Sequence, residues 1–185
     1  MLYRFSSRDV QLIVADLTGT APVAVSGSVS YDDADTTVFQ YLGINVSAKG
    51  LDDAAFRRCL SLGVSRRALV SSLLSGHAKA AQFGEVRLTA DWDVSSLLAT
   101  GGSLNYGGWS DPQCDQLLEG CRSGGNREAA FRGLCRYLQS QAPILPICFK
   151  TVSTLYESDV LEGLTPTAAE PFYGLENISI HLRAN

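Results

Sequence analysis

Polar side chains that could contact a ligand recur at every second position near the middle of the chain. Glu85, Arg87 and Thr89 alternate with apolar residues, which predicts a strand over 85–89 with one polar face. The carboxylate and the guanidinium on that face either present their charges to a ligand or pair with each other across i, i+2 at a solvated surface. The pattern by itself leaves both interpretations open.

Two acidic residues and an aromatic one, Asp91, Trp92 and Asp93, follow this strand directly. A carboxylate that faces a cleft suits a cationic group, because such a pair is stronger away from water. The alternative is that the two aspartates cap a short helix predicted over 94–99. Capping is the better explanation for Asp93, whereas both roles stay open for Asp91.

The glycine-rich segment over 101–109, GGSLNYGGW, does not match a phosphate-binding loop. No Gly-Lys-Ser/Thr follows it, and no strand and helix flank a GxGxxG spacing. It is better explained as a folded loop ahead of a helix that begins near Ser110. Tyr106 and Trp109 could pack in the core, and we favour packing for Trp109.

The two histidines, His77 and His181, give little support for catalysis. Neither is placed beside a serine or cysteine nucleophile with an acid to orient it. His77 follows a helix-ending glycine, a position typical of structural histidines, and Asp32 and Asp33 are expected in a loop. We therefore predict no enzyme activity, no catalytic residue and no cofactor.

The cysteines number five, an odd count without a CxxC pair. Zinc and redox sites are weakly supported because no two cysteines have metal-ligand spacing, so we predict no metal site. Each cysteine occupies an apolar helical or strand position, and we expect small buried hydrophobic side chains. A disulfide between Cys121 and Cys135 is an alternative that the sequence does not decide.

Composition limits the class of protein. The chain has 185 residues, of which 45% are hydrophobic and 18% charged, with a net charge of -4. These values are typical of a globular chain that can bury a core. No basic run is present to gather phosphates, so we predict no nucleic-acid partner. No apolar run has the length of a membrane-spanning helix, and the N-terminus lacks a signal-peptide core.

The first half of the chain predicts two strands and two helices. A strand over 10–15 precedes a Gly-, Ser- and Pro-rich connector over 16–29, and the apolar run over 38–45 predicts a strand buried on both faces. Asp52 is expected to cap a helix with the apolar residues Ala55, Phe56, Cys59 and Leu60. Ser65 is expected to cap a second helix with the apolar residues Leu69, Val70, Leu73 and Leu74.

The second half continues the alternation of helices and strands. A helix begins at Pro112 with the apolar face Cys114, Leu117, Leu118 and Cys121. Asn126 caps the longest helix, which Pro143 ends and whose face is Phe131, Leu134, Cys135 and Leu138. Strands are predicted over 144–150, 152–156 and 178–182. This order of elements predicts an α/β fold class.

The stretch 36–77 carries a set of motif residues in addition to these general patterns. A threonine precedes an apolar strand that ends in Asn. An acidic cap and a helix with an Arg follow. A second helix, which also carries an Arg, ends at Gly-His. The residues concerned are Thr37, Asn45, Asp52, Arg57, Arg66, Gly76 and His77. This set resembles the peptide/nickel-type (family 5) extracellular solute-binding proteins of bacterial ABC importers. Ser65 departs from it, since the family more often has an acid there.

The resemblance implies a periplasmic-binding-protein-like (type II) lobe fragment, with a mixed sheet and flanking helices. It implies one domain over 1–185, a trimmed second lobe, in which 1–35 is a hinge or first-lobe remnant. The family separates the stretches on either side of Phe83 and Gly84 by an α/β block. We therefore expect a junction at 83–84 that is engineered or, as the alternative, a natural deletion.

The resemblance also implies a binding site. In the family, the strand and turn matching 84–93 lie along the cleft between the lobes, and the glycine-rich loop lies near it. Asp91 stands where peptide-binding relatives hold the ammonium group of the ligand. The ligand-binding residues implied in this way are Glu85, Arg87, Thr89, Asp91, Trp92, Asn105 and Tyr106.

The function implied is that of a partial substrate-binding component of an ABC importer, which captures peptides or related small solutes outside the cell. Its partners would be the solute and the membrane subunits of the importer. The natural protein is expected to carry an upstream signal or lipoprotein segment, to be extracellular or periplasmic, and to meet the membrane only through that anchor. The alternatives are a small α/β hydrolase that uses Asp91 with His77, and a scaffold that docks on the importer without binding ligand.

Overall fold

The computed structural model describes residues 2–18, 27–81, 93–123 and 125–181. Helices and strands alternate along these residues, which confirms the predicted α/β fold class. The elements in chain order are α1 (Leu2–Ser6), β1 (Leu12–Ala15), β2 (Val29–Gly43), α2 (Ala54–Gly63), α3 (Arg66–Leu73), β3 (Ala78–Ala80), α4 (Ser95–Leu98), α5 (Pro112–Ser123), α6 (Arg127–Gln141), β4 (Ile144–Glu157), β5 (Leu161–Glu162), a 3-10 turn (Leu175–Asn177) and β6 (Ser179–Ile180).

The main sheet has the strand order β1-β4-β2, and β3 also pairs with β4. Strands β1 and β4 are antiparallel, with Leu12 opposite Tyr156 and Ala15 opposite Ser153. Strands β5 and β6 form a separate antiparallel pair. The two strands predicted over 144–150 and 152–156 are one continuous strand, β4.

The chain divides into two compact units. One holds Met1–Phe39, Arg67–Ala80 and Phe149–Asn185, and the other holds Gln40–Arg66 and Ala81–Cys148. The core of the first unit is a cluster of Phe5, Ile13 and Leu155, with Val10, Ala15, Leu17 and Val29 packed against it. Among the buried apolar residues of the second unit are Leu98, Cys114, Leu118, Leu134 and Leu138. The single domain, the hinge remnant and the junction at 83–84 stay predictions, and the junction lies outside the described residues.

Strand β2 differs from the strand predicted over 38–45. It begins at Val29, inside the expected connector. Val38 and Leu42 are 50% and 52% exposed, so the prediction of a strand buried on both faces is wrong. Successive side chains of a strand point to opposite faces, and Phe39, which stacks on Phe149 with ring centroids 5.0 Å apart, lies on the other face.

The start of α2 also corrects the sequence analysis. Asp53 caps the helix, because its carboxylate accepts the N–H of Ala55 at 2.8 Å. Asp52, the predicted cap, instead accepts the N–H of Gly50 at 2.9 Å in the preceding turn. The next helix, α3, begins directly after Ser65, as predicted.

The apolar residues of α2 and α3 do not form buried faces. Phe56 and Leu60 are 48% and 39% exposed, and Cys59 is exposed as well. In α2 the buried residue is Arg57, and α3 buries none of its residues. The predicted apolar faces of both helices are therefore wrong. In α2 the inward position is taken by Arg57, whose guanidinium donates hydrogen bonds to backbone carbonyls.

Helices α5 and α6 follow the predicted spacing. Cys114, Leu118, Leu134 and Leu138 are buried, and the two helices pack against each other. Asn126 caps α6 by accepting the N–H of Ala129 at 3.0 Å. None of the five cysteines forms a disulfide; three are buried as predicted, Cys121 is half-buried, and the expectation for Cys59 is wrong.

A partly buried tyrosine–aspartate contact ties α6 to the start of α5. The Tyr137 hydroxyl lies 2.9 Å from each carboxylate oxygen of Asp111 and donates to them. The same carboxylate accepts the N–H of Cys114 at 2.7 Å and so caps α5. Burial, and then the negative charge and hydrogen bond of Asp111, raise the pKa of Tyr137 to about 12.

This contact makes the stability depend on pH at the alkaline end. In the unfolded chain the Tyr137 phenol ionises near pH 10, whereas in the folded chain it keeps its proton up to a pKa of about 12. The folded state then binds more protons, so the stabilisation is complete below pH 10 and is lost as pH rises towards 12. We expect Tyr137→Phe to flatten the fall of the urea midpoint over this range. An equally steep fall in the variant would contradict the assignment.

Candidate functional site

Asn105 holds the glycine-rich loop in place from within. Its side-chain amide donates to the carbonyls of Ala99 at 3.0 Å and Trp109 at 2.6 Å. Its amide oxygen accepts the N–H of Trp109 at 3.0 Å. Both side-chain N–H donors of the predicted ligand residue Asn105 are therefore bonded to backbone carbonyls of the loop and of Ala99 just before it.

Two glycines of this loop are required by close backbone contacts. A Cβ on Gly107 would lie 2.2 Å from the carbonyl oxygen of Ile44, and one on Gly102 would lie 2.4 Å from that of Ser96. Backbone atoms cannot move aside as a flexible side chain can, so larger residues would displace the loop. Backbone packing therefore accounts for the glycines at these two positions.

The two aromatic residues of the loop have opposite surroundings. Trp109 is 8% exposed, as the packing interpretation predicts, whereas Tyr106 is 82% exposed. Tyr106 and Trp109 both line a small apolar cavity of about 40 Å³, together with Tyr41, Leu104 and Ile144. The loop thus presents one uncovered phenol beside a recess with room for a small apolar group.

The buried side chain of Arg57 contacts this loop at Trp109. Its guanidinium lies 5.7 Å from the ring centroid of Trp109, close enough for a cation–π contact. It is 2% exposed and donates to four backbone carbonyls, those of Leu51, Asp52, Gln141 and Ala142, at 2.6–3.1 Å. Burial lowers the pKa of Arg57, which Asp53 and Asp52 partly offset.

Arg66 makes a similar set of contacts at the other end of α2. It donates to the carbonyls of Pro146 at 2.7 Å and Ser61 at 2.8 Å, and to the Ser61 hydroxyl at 2.7 Å. Its remaining contact, with the carbonyl of Val64, is 3.3 Å long. Both arginines of the sequence motif are therefore fixed by neutral acceptors.

Most of the predicted ligand residues, Glu85, Arg87, Thr89, Asp91 and Trp92, lie outside the described residues. The described chain resumes at Asp93, whose carboxylate accepts the N–H of Ser95 at 2.8 Å ahead of α4. That contact lowers the pKa of Asp93. Asp93 therefore acts at the helix start, as the sequence favoured.

His77 is buried and belongs to a polar cluster that sequence reasoning missed. Asp33, predicted in a loop, lies in β2, and its carboxylate is 3.0 Å from Nδ1 of His77. The same carboxylate accepts the hydroxyl of Ser153 at 2.5 Å. The sequence did contain a signal for this contact. Asp33 is an acid in an extended run and His77 directly follows a helix, so each needed a polar partner.

This cluster lacks the order of a Ser-His-Asp triad. Asp33 stands between Ser153 and His77, so the serine proton faces the carboxylate and not an imidazole nitrogen. Ser153 is also 0% exposed, which closes it to a substrate. The geometry matches a structural network.

Within the described ranges, no group of three or more His, Cys, Asp or Glu side chains is placed to hold a metal ion. No helix in that part of the chain combines the length and apolarity needed to cross a bilayer.

Comparison with solved structures defines the fold. The chain is similar to the ABC transporter substrate binding protein CtaP of Listeria monocytogenes, with 12% identity over 97% of this chain and 57% of that chain at a TM-score of 0.74. It is also similar to the oligopeptide-binding protein AppA of Bacillus subtilis, determined with a nonapeptide, at 11% identity, 98% and 58% coverage and a TM-score of 0.65. A nickel ABC transporter protein of Bacillus halodurans gives 10% identity, 91% and 57% coverage and a TM-score of 0.68.

These likenesses confirm the resemblance at the level of the fold. The chain has the fold of part of a type II solute-binding protein, of the kind that occurs in peptide and nickel ABC importers. It spans 57% or 58% of the length of these three neighbours. No protein-family model matches the chain, and no curated protein does.

The contacts of Arg57 give a stability prediction. Lysine keeps the charge but cannot reach four carbonyls with a planar fork. We expect Arg57→Lys to lower the free energy of unfolding by about 3 kcal/mol, because buried acceptors lose their donors. Arg136→Lys, an exposed change in α6, should cost less than about 0.5 kcal/mol. Equal urea midpoints for the two variants would show that Arg57 is not the anchor.

The loop gives a second prediction. Asn105→Ala removes three hydrogen bonds and should cost about 2 kcal/mol, with faster amide exchange at Gly108 and Trp109. Tyr106→Ala should leave the stability within about 0.5 kcal/mol, since the side chain is exposed. Hydrogen exchange by mass spectrometry and urea unfolding check both. Protection unchanged in Asn105→Ala would contradict the proposed support of the loop.

Proposed function

We propose that this chain is part of the substrate-binding component of an ABC importer and contacts peptides or related small solutes outside the cell. The observation that carries the proposal is the likeness in fold, over 91–98% of the chain, to proteins named for substrate, oligopeptide or nickel transport. The arrangement of His77, Asp33 and Ser153 supports a binding role over the hydrolase alternative. The partners are the solute and the membrane subunits of the importer.

In the whole protein, other parts besides this chain also contact the ligand. The chain corresponds to little more than half the length of its neighbours. Two-lobe binding proteins close over a ligand by hinge motion, so each lobe contributes only some of the contacts to the ligand. A single lobe therefore binds weakly, and the full protein works at the cell surface or in the periplasm, held where needed by an upstream lipid anchor.

The ligand-contacting segment runs from residue 84 to 106. Asp91 pairs with the ammonium group of a peptide, and Tyr106 offers an exposed phenol beside the apolar recess. Asn105 holds the loop backbone next to Tyr106 and retains acceptor capacity on its amide oxygen. The remaining contacts are assigned to Glu85, Arg87, Thr89 and Trp92.

An NMR titration of the 185-residue chain with trialanine and with N-acetyl-trialanine tests this function. At millimolar concentrations trialanine should shift the amides of the loop around Tyr106, and the acetylated peptide, which has no ammonium group, should shift them less. Asp91→Asn should remove the difference between the two peptides, because the carboxylate that recognises the ammonium is gone.

Matched tyrosines provide the control. Tyr106→Ala should weaken the response to trialanine, whereas Tyr3→Ala should not, although both tyrosines are 82% exposed. Nanomolar affinity of this chain for a peptide would contradict the shared-ligand proposal. Absence of any shift at millimolar peptide would contradict ligand contact by this segment.

A further inference from the structure

A second cavity of about 250 Å³ lies between α2, α6 and the start of β4, entirely within the second unit. Its lining includes Arg58, Arg66, Leu62, Gln139 and Pro146. It shares no lining residue with the apolar cavity beside Tyr106. Its volume is below the roughly 300 Å³ of sites for drug-sized ligands, so it suits a small molecule or ion.

The charges around this cavity are all of one sign. Two guanidiniums, those of Arg58 and Arg66, line it, and none of the described residues that line it is an acid. This concentration of positive charge occurs on a chain whose net charge is -4. Within the described part of the chain, neither arginine has a carboxylate partner.

Arg66 is held in position without being neutralised. Its hydrogen bonds go to the carbonyls of Ser61, Val64 and Pro146 and to the Ser61 hydroxyl, all of them uncharged. Burial lowers the pKa of Arg66, which reflects the cost of keeping this charge away from water. Arg58 is exposed, and its side chain lines the same cavity. A fixed guanidinium and an exposed one therefore face the same space.

The nearby end of α6 does not cancel this attraction. The C-terminal carbonyls of a helix carry partial negative charge and would repel an anion. The carbonyls of Gln141 and Ala142 are, however, already bonded to the guanidinium of Arg57. The field inside the cavity is then set mainly by Arg58 and Arg66.

We propose that this cavity is a binding site for a small oxyanion, with Arg66 as the fixed contact and Arg58 as the residue that closes on it. Guanidiniums bind phosphate and carboxylate oxygens through short, charge-assisted hydrogen bonds. Four of the five N–H groups of Arg66 already bond to protein oxygens, so Arg66 contributes its charge and one further hydrogen bond. The anion compensates the half-buried charge of Arg66. It also stabilises the packing of α2 on α6, since both helices contribute to its surroundings.

The test is an NMR titration of the 185-residue chain with inorganic phosphate at constant pH and ionic strength, with chloride as the balancing salt. We expect saturable shifts of the amides of Ser61, Leu62 and Arg66. Parallel titrations with sulfate and acetate distinguish a tetrahedral oxyanion from a carboxylate, and saturable binding of any one of the three supports the site. No saturable binding of any of them at millimolar concentration would overturn it.

Variants separate the cavity from a general charge effect. Arg58→Gln should weaken the binding of phosphate by about tenfold or more, because one charge-assisted contact is lost. Arg136→Gln removes the same charge from an exposed position of α6 outside the lining and should change the affinity less than about twofold. Leu62→Glu places a carboxylate in the lining and should suppress phosphate binding. Equal affinities for Arg58→Gln and Arg136→Gln would overturn the proposal.

Discussion

The second unit of this protein depends on the hydrogen bonding of one buried guanidinium. Arg57 supplies donors to the turn before α2 and to the last carbonyls of α6, two places where the backbone leaves regular structure. A buried carbonyl without a donor is costly, so these segments require a polar side chain in the core. The same guanidinium lies over Trp109, which anchors the glycine-rich loop. The packing of the second unit and the position of the glycine-rich loop therefore both depend on Arg57.

The first unit solves a similar problem with a carboxylate. Asp33 in β2 contacts His77 and accepts the hydroxyl of Ser153, so a polar network joins strand β2 to β4 and to the turn before β3. The carbonyl of His77 in turn accepts the hydroxyl of Thr151 at 2.8 Å. Groups that look suited to catalysis in the sequence are here satisfied by one another. Their geometry is that of a structural network and not of a Ser-His-Asp triad.

Rigidity and exposure are divided between neighbouring residues of the loop. Trp109 and Asn105 fix the backbone through burial and hydrogen bonds, while Tyr106 stays open to solvent. Such a loop can present an aromatic ring to a solute at little entropic cost, because the backbone is already ordered. The arginine-lined cavity lies elsewhere in the same unit. It is positively charged, whereas the cavity beside Tyr106 is apolar, so the two cavities suit different ligands.

The sequence by itself determined the α/β class, the fold resemblance, the cap at Asn126, the place of Asp93 at the start of α4, and the packed faces of α5 and α6. These features depend on local spacing and on side chains that bond to their own backbone, which a linear pattern contains. The tertiary structure alone decided that α2 buries Arg57 in place of Phe56 and Leu60, that Asp33 meets His77 across 44 positions, and that Tyr106 is exposed while Trp109 is not. Those outcomes depend on which distant backbone carbonyls and side chains lack partners, and periodicity carries no information about them.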